Sequence, residues 1–166
     1  MQITLLSFWG SCLFRKRAGT TGRLTAAPEK HLTVHFPRAT LLKGILTQLY
    51  INLITADSFS TLHRLKTDEI FHFYLGDPVL MLKLHPDGSG ETITLGNNLA
   101  EGHQPQCVVT GGTWQGMKLL DGGRFALMGT TMAPAFDFRD FEKGRRSTLL
   151  EKYPGYAQLI ESLTIE

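Results

Sequence analysis

Residues 57–78 read Asp57-Ser58-Phe59-Ser60-Thr61-Leu62-His63-Arg64-Leu65-Lys66-Thr67-Asp68-Glu69-Ile70-Phe71-His72-Phe73-Tyr74-Leu75-Gly76-Asp77-Pro78. The run Glu69–Leu75 is aromatic and β-prone, and Gly76-Asp77-Pro78 closes it with turn residues. Successive side chains on a strand alternate faces, so His63 and Leu65 share one face. If Glu69 points inward, Phe71 and Phe73 do too, and Ile70, His72 and Tyr74 point the other way. The same grammar continues outward. Val79–His85 closes at Pro86-Asp87-Gly88, Glu91–Leu95 at Gly96-Asn97-Asn98, and Gln106–Val109 at Gly111-Gly112. Trp114–Leu120 ends at Asp121-Gly122-Gly123 and Arg124–Met132 at Pro134, while Ile45–Ile54 is a strand-like run upstream. Short strands recurring at roughly 10-residue spacing between turn signals predict an antiparallel sandwich or barrel.

The tail changes period. Leu149, Leu150, Tyr153, Tyr156, Ala157, Ile160 and Leu163 recur at steps of three and four, with Pro154-Gly155 as a break. That is an amphipathic helical segment, with Ser147 as N-cap of its first half, placed to cover one end or face of the barrel.

At 166 residues the chain is long enough for one domain with a sizeable core. Apolar residues are 42% and charged residues 19%, a globular composition. No apolar run approaches the ~20 residues of a membrane-spanning helix. Cys12 and Cys107 are too few for a disulfide framework and read as buried or half-buried thiols. The net charge of +2 divides unevenly: residues 1–56 carry +6 and the rest −4. Arg15-Lys16-Arg17 is the one basic cluster in that stretch, and no interleaved aromatics suggest base stacking, so nucleic acid is not an expected partner. The apolar Ile3–Phe14 precedes that cluster, the reverse of a secretory signal, so the chain reads as cytoplasmic, with a transit peptide as the alternative.

His63, Glu69 and Gln115 are the polar groups of these strands that carry chemistry if their faces point inward. An imidazole titrates near neutral pH and serves as acid, base or ligand. A carboxylate entering an apolar strand must find a partner or protonate. A direct His63–Glu69 pair would favour the charged forms of both. Gln115, Met117 and Leu119 share a face. Leu80, Leu82 and Leu84 are expected in the core, with Lys83 and His85 away from it, and Arg64 and Lys66 toward solvent. Phe136–Phe141 reads as an edge strand or turn that pins the barrel.

The spacing His63-x-Leu65-x3-Glu69-x6-Gly76 resembles the first cupin motif, G-x5-H-x-H-x3,4-E-x6-G. Thr110-Gly111-Gly112-Thr113-Trp114-Gln115 resembles the start of the second, G-x5-P-x-G-x2-H-x3-N. More narrowly, the block 57–78, Leu84-His85-Pro86-Asp87-Gly88, Thr94-Leu95-Gly96 and Ala133–Glu142 resemble the Cupin-5 family, with the likeness running from about Ile45 to Leu163. The resemblance implies an all-β double-stranded jelly-roll barrel with a C-terminal helical segment, and a homodimer. It divides the chain into a divergent basic N-terminal segment, 1–43, and a barrel with its helix, 44–166. Metal-binding cupins hold their ion with two His and a Glu from the first motif and a His from the second. Here His63 and Glu69 match, Leu65 stands for the second His and Gln115 for the third. The expected cofactor is therefore none, with weak divalent binding by His63, Glu69 and Gln115 the alternative.

Three functional readings follow. The first is a metal-independent barrel that binds a small polar metabolite, such as a carbohydrate or nucleotide sugar, in its mouth. It stands with or without isomerase- or epimerase-type acid-base chemistry. The nucleotide-sugar epimerase cupins are the analogue: His63 as base, Glu69 as its orienting partner, and Gln115, Trp114, Phe71, Phe73 and Met117 as ligand contacts. No Tyr stands at an obvious match for the tyrosine acid of those enzymes. The second is a metal-dependent oxygenase, isomerase or lyase. The third is a non-catalytic interaction protein that uses the basic N-terminal stretch. No membrane partner is expected.

Overall fold

The computed structural model describes residues 48–165. The segment 1–43, including Cys12 and the Arg15–Arg17 cluster, lies outside the described residues, as does the start of the run at Ile45. Among the described residues nine strands form: β1 Gln48–Thr55, β2 Phe59–Arg64, β3 Glu69–Gly76, β4 Val79–Leu84, β5 Gly90–Leu95, β6 Gln106–Val109, β7 Trp114–Leu119, β8 Phe125–Met132 and β9 Glu142–Lys143. Two short helices follow, α1 Arg146–Lys152 and α2 Ala157–Ser162, joined by a 3-10 turn at Pro154–Tyr156. The strands make a four-stranded sheet, β1-β8-β3-β6, and a five-stranded sheet, β5-β4-β7-β2-β9, whose paired strands run antiparallel. This is the jelly-roll barrel that the resemblance implies. Among the described residues no helix is long and apolar enough to cross a membrane.

Two apolar clusters hold the molecule. Inside the barrel, Ile54, Phe71, Phe73, Val79, Met81, Met117, Leu119 and Met128 pack between the sheets. Outside it, the helices lie on the other face of the five-stranded sheet, where Leu62, Leu82, Leu84 and Trp114 meet Leu149, Tyr153, Ile160 and Leu163. The middle of β2, β4 and β7 is thus buried on both sides, which is why β4 reads as a near-continuous apolar run. The tail covers a face of the barrel, as its period predicts. The Tyr153 hydroxyl donates to the His85 carbonyl at 2.8 Å, and the Leu62 amide donates to the Leu163 carbonyl at 2.7 Å.

Several local expectations are corrected. Helix α1 starts one residue ahead of Ser147, with Arg145 at the N-cap and no side-chain cap. Leu82 and Leu84 are buried, but in the outer cluster beneath the helices. Lys83 is the inward residue: it stands in register with Gln115, as Met81 does with Met117 and Val79 with Leu119. Glu69, Phe71 and Phe73 are buried as parity requires, until a register shift between Phe73 and Leu75 turns Tyr74 and Leu75 both outward. Phe136–Phe141 includes a 3-10 turn at Phe138–Asp140, leads into the edge strand β9, and is held by β9 pairing with β2.

Candidate functional site

One transverse row of the five-stranded sheet runs Lys143, His63, Gln115, Lys83, Glu91, each residue in register with the next. Cross-strand partners share a face, and the middle of this row, His63, Gln115 and Lys83, is buried on the side facing the barrel interior. From the opposite sheet Glu69, in register with Met132 and Val109, faces it. The register shift in β2 between Ser60 and His63 lets Leu62 point to the outer cluster while His63 points in.

Gln115 joins the imidazole to the carboxyl. Its Nε2 lies 2.8 Å from His63 Nε2 and 3.0 Å from Glu69 Oε1. His63 Nδ1 lies 2.7 Å from the Thr61 carbonyl oxygen. A carbonyl only accepts, so Nδ1 carries the proton and donates. Nε2 is then a lone pair, and the Gln115 amide donates to it and to Glu69 with its two hydrogens. The orientation leaves Gln115 Oε1 buried with no hydrogen-bond partner. Buried polar atoms of this kind are uncommon and call for a physical account.

Burial decides both charges. It pushes His63 down to about 4, against the upward pull of the Thr61 carbonyl. It pushes Glu69 up to about 7, against the hydrogen bond from Gln115. The direct pair that would favour both charged forms is therefore replaced by an amide bridge between two groups driven toward neutrality. Glu69 is left poised near neutral pH, where a group is most effective in proton transfer.

Aromatic rings pack beside these polar groups. Phe141 stacks on the His63 ring at 5.2 Å between centroids. Phe136 meets Phe141 edge-on at 6.5 Å and Tyr50 at 6.1 Å. Tyr50 stands in register with Thr130, itself opposite Phe71, so it shares the interior face. The 138–142 segment is tied to the end of β2 by Arg64–Glu142 at 2.7 Å and Lys66–Asp140 at 3.1 Å. The Asp137 carboxylate accepts from the Arg139 amide at 2.9 Å and pairs with its guanidinium, whose hydrogen bonds hold that carboxyl down near 2.

The structure thus gathers His63, Glu69 and Gln115. Phe71, Phe73 and Met117 lie deeper, in the interior apolar packing. Trp114 does not join them. It precedes Gln115 on the strand and so takes the opposite face, in the outer cluster, with the Arg64 guanidinium 4.5 Å above its ring. A groove of about 610 Å³ lined by Trp114, Lys143, Arg145, Thr148 and Lys152 lies on that outer side. Lys83, Tyr50, Phe136 and Phe141 are the neighbours that sequence reasoning missed. The alternation of Lys83 with Met81 and Val79 was the available signal for the first. The others depend on contacts between distant segments.

A cupin metal centre needs lone pairs that converge on one point. Here the His63 and Glu69 lone pairs point at amide hydrogens, Gln115 presents a donor to both, and Leu65 offers nothing. Among the described residues no group of three or more His, Cys, Asp and Glu could hold an ion. The side chains present do not fit a metal.

The family model for Cupin-5, described as cupin superfamily (DUF985), matches residues 21–144. The chain belongs to the Cupin-5 family. Among solved structures, this Cupin-5 chain is similar to a protein of Shewanella oneidensis, at 28% identity and a TM-score of 0.73, covering 81% of this chain and 87% of that one. It is also similar to a hypothetical protein from Leishmania major, at 24% identity and a TM-score of 0.71, covering 82% and 90%. A cupin 2 conserved barrel domain protein from Rhodopseudomonas palustris shares the fold at 12% identity and a TM-score of 0.51, covering 76% of each chain. None of the curated proteins matches this chain.

Proposed function

We propose that the barrel mouth binds a small polar metabolite of the carbohydrate or nucleotide-sugar class without a metal, and that Glu69 exchanges a proton with it. What carries the reading is the buried, unpartnered Oε1 of Gln115 beside a carboxyl that burial lifts to about 7. An acceptor without a donor asks for a hydroxyl or amide from a guest. The carboxyl beside it can give or take a proton at neutral pH. His63 is neutral and fixed at both nitrogens, so it positions Gln115 and supplies, with Phe141, an aromatic wall.

The test is a thermal-shift panel of monosaccharides, sugar acids and nucleotide sugars, followed by incubation of any binder in D2O. The expected result is a stabilising ligand that gains deuterium at carbon with the wild-type protein and not with Glu69→Gln. A panel without a binder, or binding indifferent to Gln115→Leu, overturns the reading. The same proposal takes the protein as a cytoplasmic homodimer, and light scattering at about 37 kDa rather than the monomer mass supports that part.

A further inference from the structure

Lys83 lies in the same row as the candidate site. It stands opposite Gln115 on β7 and opposite Glu91 on β5. Its inward neighbours along β4, Val79 and Met81, are fully buried in the barrel core. The lysine side chain therefore enters the interior, where the residue is 9% exposed. Its charge also reaches the Cys107 thiol on the facing sheet, which it pulls down while burial, the larger effect, pushes it up.

A buried ammonium is costly unless it is paired. Glu91 Oε1 accepts from Lys83 Nζ at 2.8 Å and lies 3.4 Å from His85 Nε2. An ammonium has three donors, and Glu91 takes one. On the adjacent strand, the Oε1 of Gln115 is buried and accepts none. Side chains directly opposite each other start from Cβ atoms about 4.5–5.5 Å apart. One small guest therefore spans both, provided it carries an anionic oxygen for Lys83 and a neighbouring hydroxyl hydrogen for Gln115. A neutral sugar supplies the hydroxyl and leaves the ammonium with water and Glu91. The other carboxyl facing the guest, Glu69, is driven toward its neutral form, and Glu91 is already shared between Lys83 and His85.

The geometry points to a small hydroxy carboxylate, of the sugar-acid kind, as the ligand of the mouth, with Lys83 holding its carboxylate and Gln115 Oε1 accepting from its hydroxyl. This rests on the reading of the mouth as a ligand site and narrows it.

The experiment is a chemical-shift titration of the ¹⁵N-labelled full chain with glucuronate, glucose and glucose 1-phosphate. Glucuronate and glucose share a ring and differ by one carboxylate. Glucuronate is expected to bind at least tenfold more tightly than glucose. Lys83→Met, which keeps the apolar stem, should abolish that preference, and Lys83→Arg should restore part of it. If Lys83→Met does not fold, Lys83→Gln, which keeps a polar head without the charge, carries the comparison and should lose the preference, and its retention there overturns the carboxylate assignment. Equal affinities in the wild type, or a preference that survives Lys83→Met, overturn the carboxylate while leaving glucose binding at the mouth as support for the broader reading. A stronger response to glucose 1-phosphate than to glucuronate overturns it in favour of phosphate. Titrations that move no mouth resonance with any of the three overturn both.

Discussion

Replacing Glu69 by Gln tests the electrostatics of the mouth without disturbing its hydrogen bonds, because a Gln carbonyl at that position still accepts from the Gln115 amide. The Glu69 carboxyl titrates at about 7 in the folded chain against an ordinary 4.5. Between those values the folded state holds a proton that the unfolded state has lost, so stability from this group falls as pH rises from 4.5 to about 7. His63 runs the other way. Its folded value is about 4 against an ordinary 6.5, so the unfolded state holds the extra proton and stability rises with pH across that window. Each proton is worth ~1.4 kcal/mol per pH unit, which makes each effect about 3 kcal/mol across its full range. In the wild type the two slopes cancel between pH 4.5 and 6.5. Glu69→Gln exposes the His63 slope, and stability should climb by about 3 kcal/mol from pH 4 to 6.5. Urea unfolding of both chains at half-unit pH steps measures this directly. Groups common to both drop out of the wild-type-minus-variant difference, which should fall by about 3 kcal/mol between pH 4.5 and 7. A difference that stays level within ~0.5 kcal/mol would refute the claim that burial governs the Glu69 carboxyl.

Three further outcomes are expected. Leu84→Ala, in the cluster beneath the helices, should cost about 2–5 kcal/mol in urea unfolding, because Leu84 is wholly buried there. Gly76→Ala should destabilise the β3–β4 turn by more than the ~1 kcal/mol of an ordinary Gly substitution, since Gly76 has φ of +109° and a Cβ would strike the Phe125 carbonyl. A melting temperature unchanged from wild type would contradict that backbone placement. Gln115→His exchanges the donating amide for an imidazole lone pair between His63 and Glu69, and mass spectrometry after dialysis against Zn²⁺ should find about one ion per chain. Equal uptake by the wild type would mean that the amide is not what keeps an ion out.

The strands were legible because Gly, Pro, Asn and Asp mark almost every turn between them, and Glu69–Phe73 alternates cleanly with one face in the core. The β4 strand was not legible in the same way. Leu82 and Leu84 face one apolar cluster while Val79 and Met81 face another, so no alternation separates core from solvent, and Lys83 looked like the outward residue. Trp114 and Gln115 are adjacent on one strand, and adjacency alone forbids both from facing the mouth. Tyr50 and Phe136 approach through a contact between segments 86 residues apart, for which a single sequence carries no periodic signal. Of the candidate site, the grouping of His63, Glu69 and Gln115 was expected from the resemblance to the cupin motifs, and the structure brings the three together. The way they bond was not, since it turns on a register shift in β2 and on which end of an amide faces which neighbour.

The amide at position 115 explains why the other two groups persist in a dry interior. An imidazole lone pair and a carboxyl buried side by side each need a donor, and leaving either without one costs roughly 1–3 kcal/mol. An apolar residue at 115 would satisfy neither. A histidine would supply a single ring N–H for two acceptors, or lone pairs that demand an ion. Glutamine supplies two hydrogens on one nitrogen at the distances seen, 2.8 and 3.0 Å. The same choice leaves the amide oxygen, which cannot serve either neighbour, facing no partner within the protein. The residue that bonds to both groups thus also creates the unmet acceptor, one strand away from a buried ammonium with donors to spare. A guest that completes both matches a site whose own side chains balance only in part, and Gln115→Leu, which removes the acceptor together with the donors, should weaken glucuronate and glucose binding alike, whereas Lys83→Met should remove the preference for glucuronate over glucose.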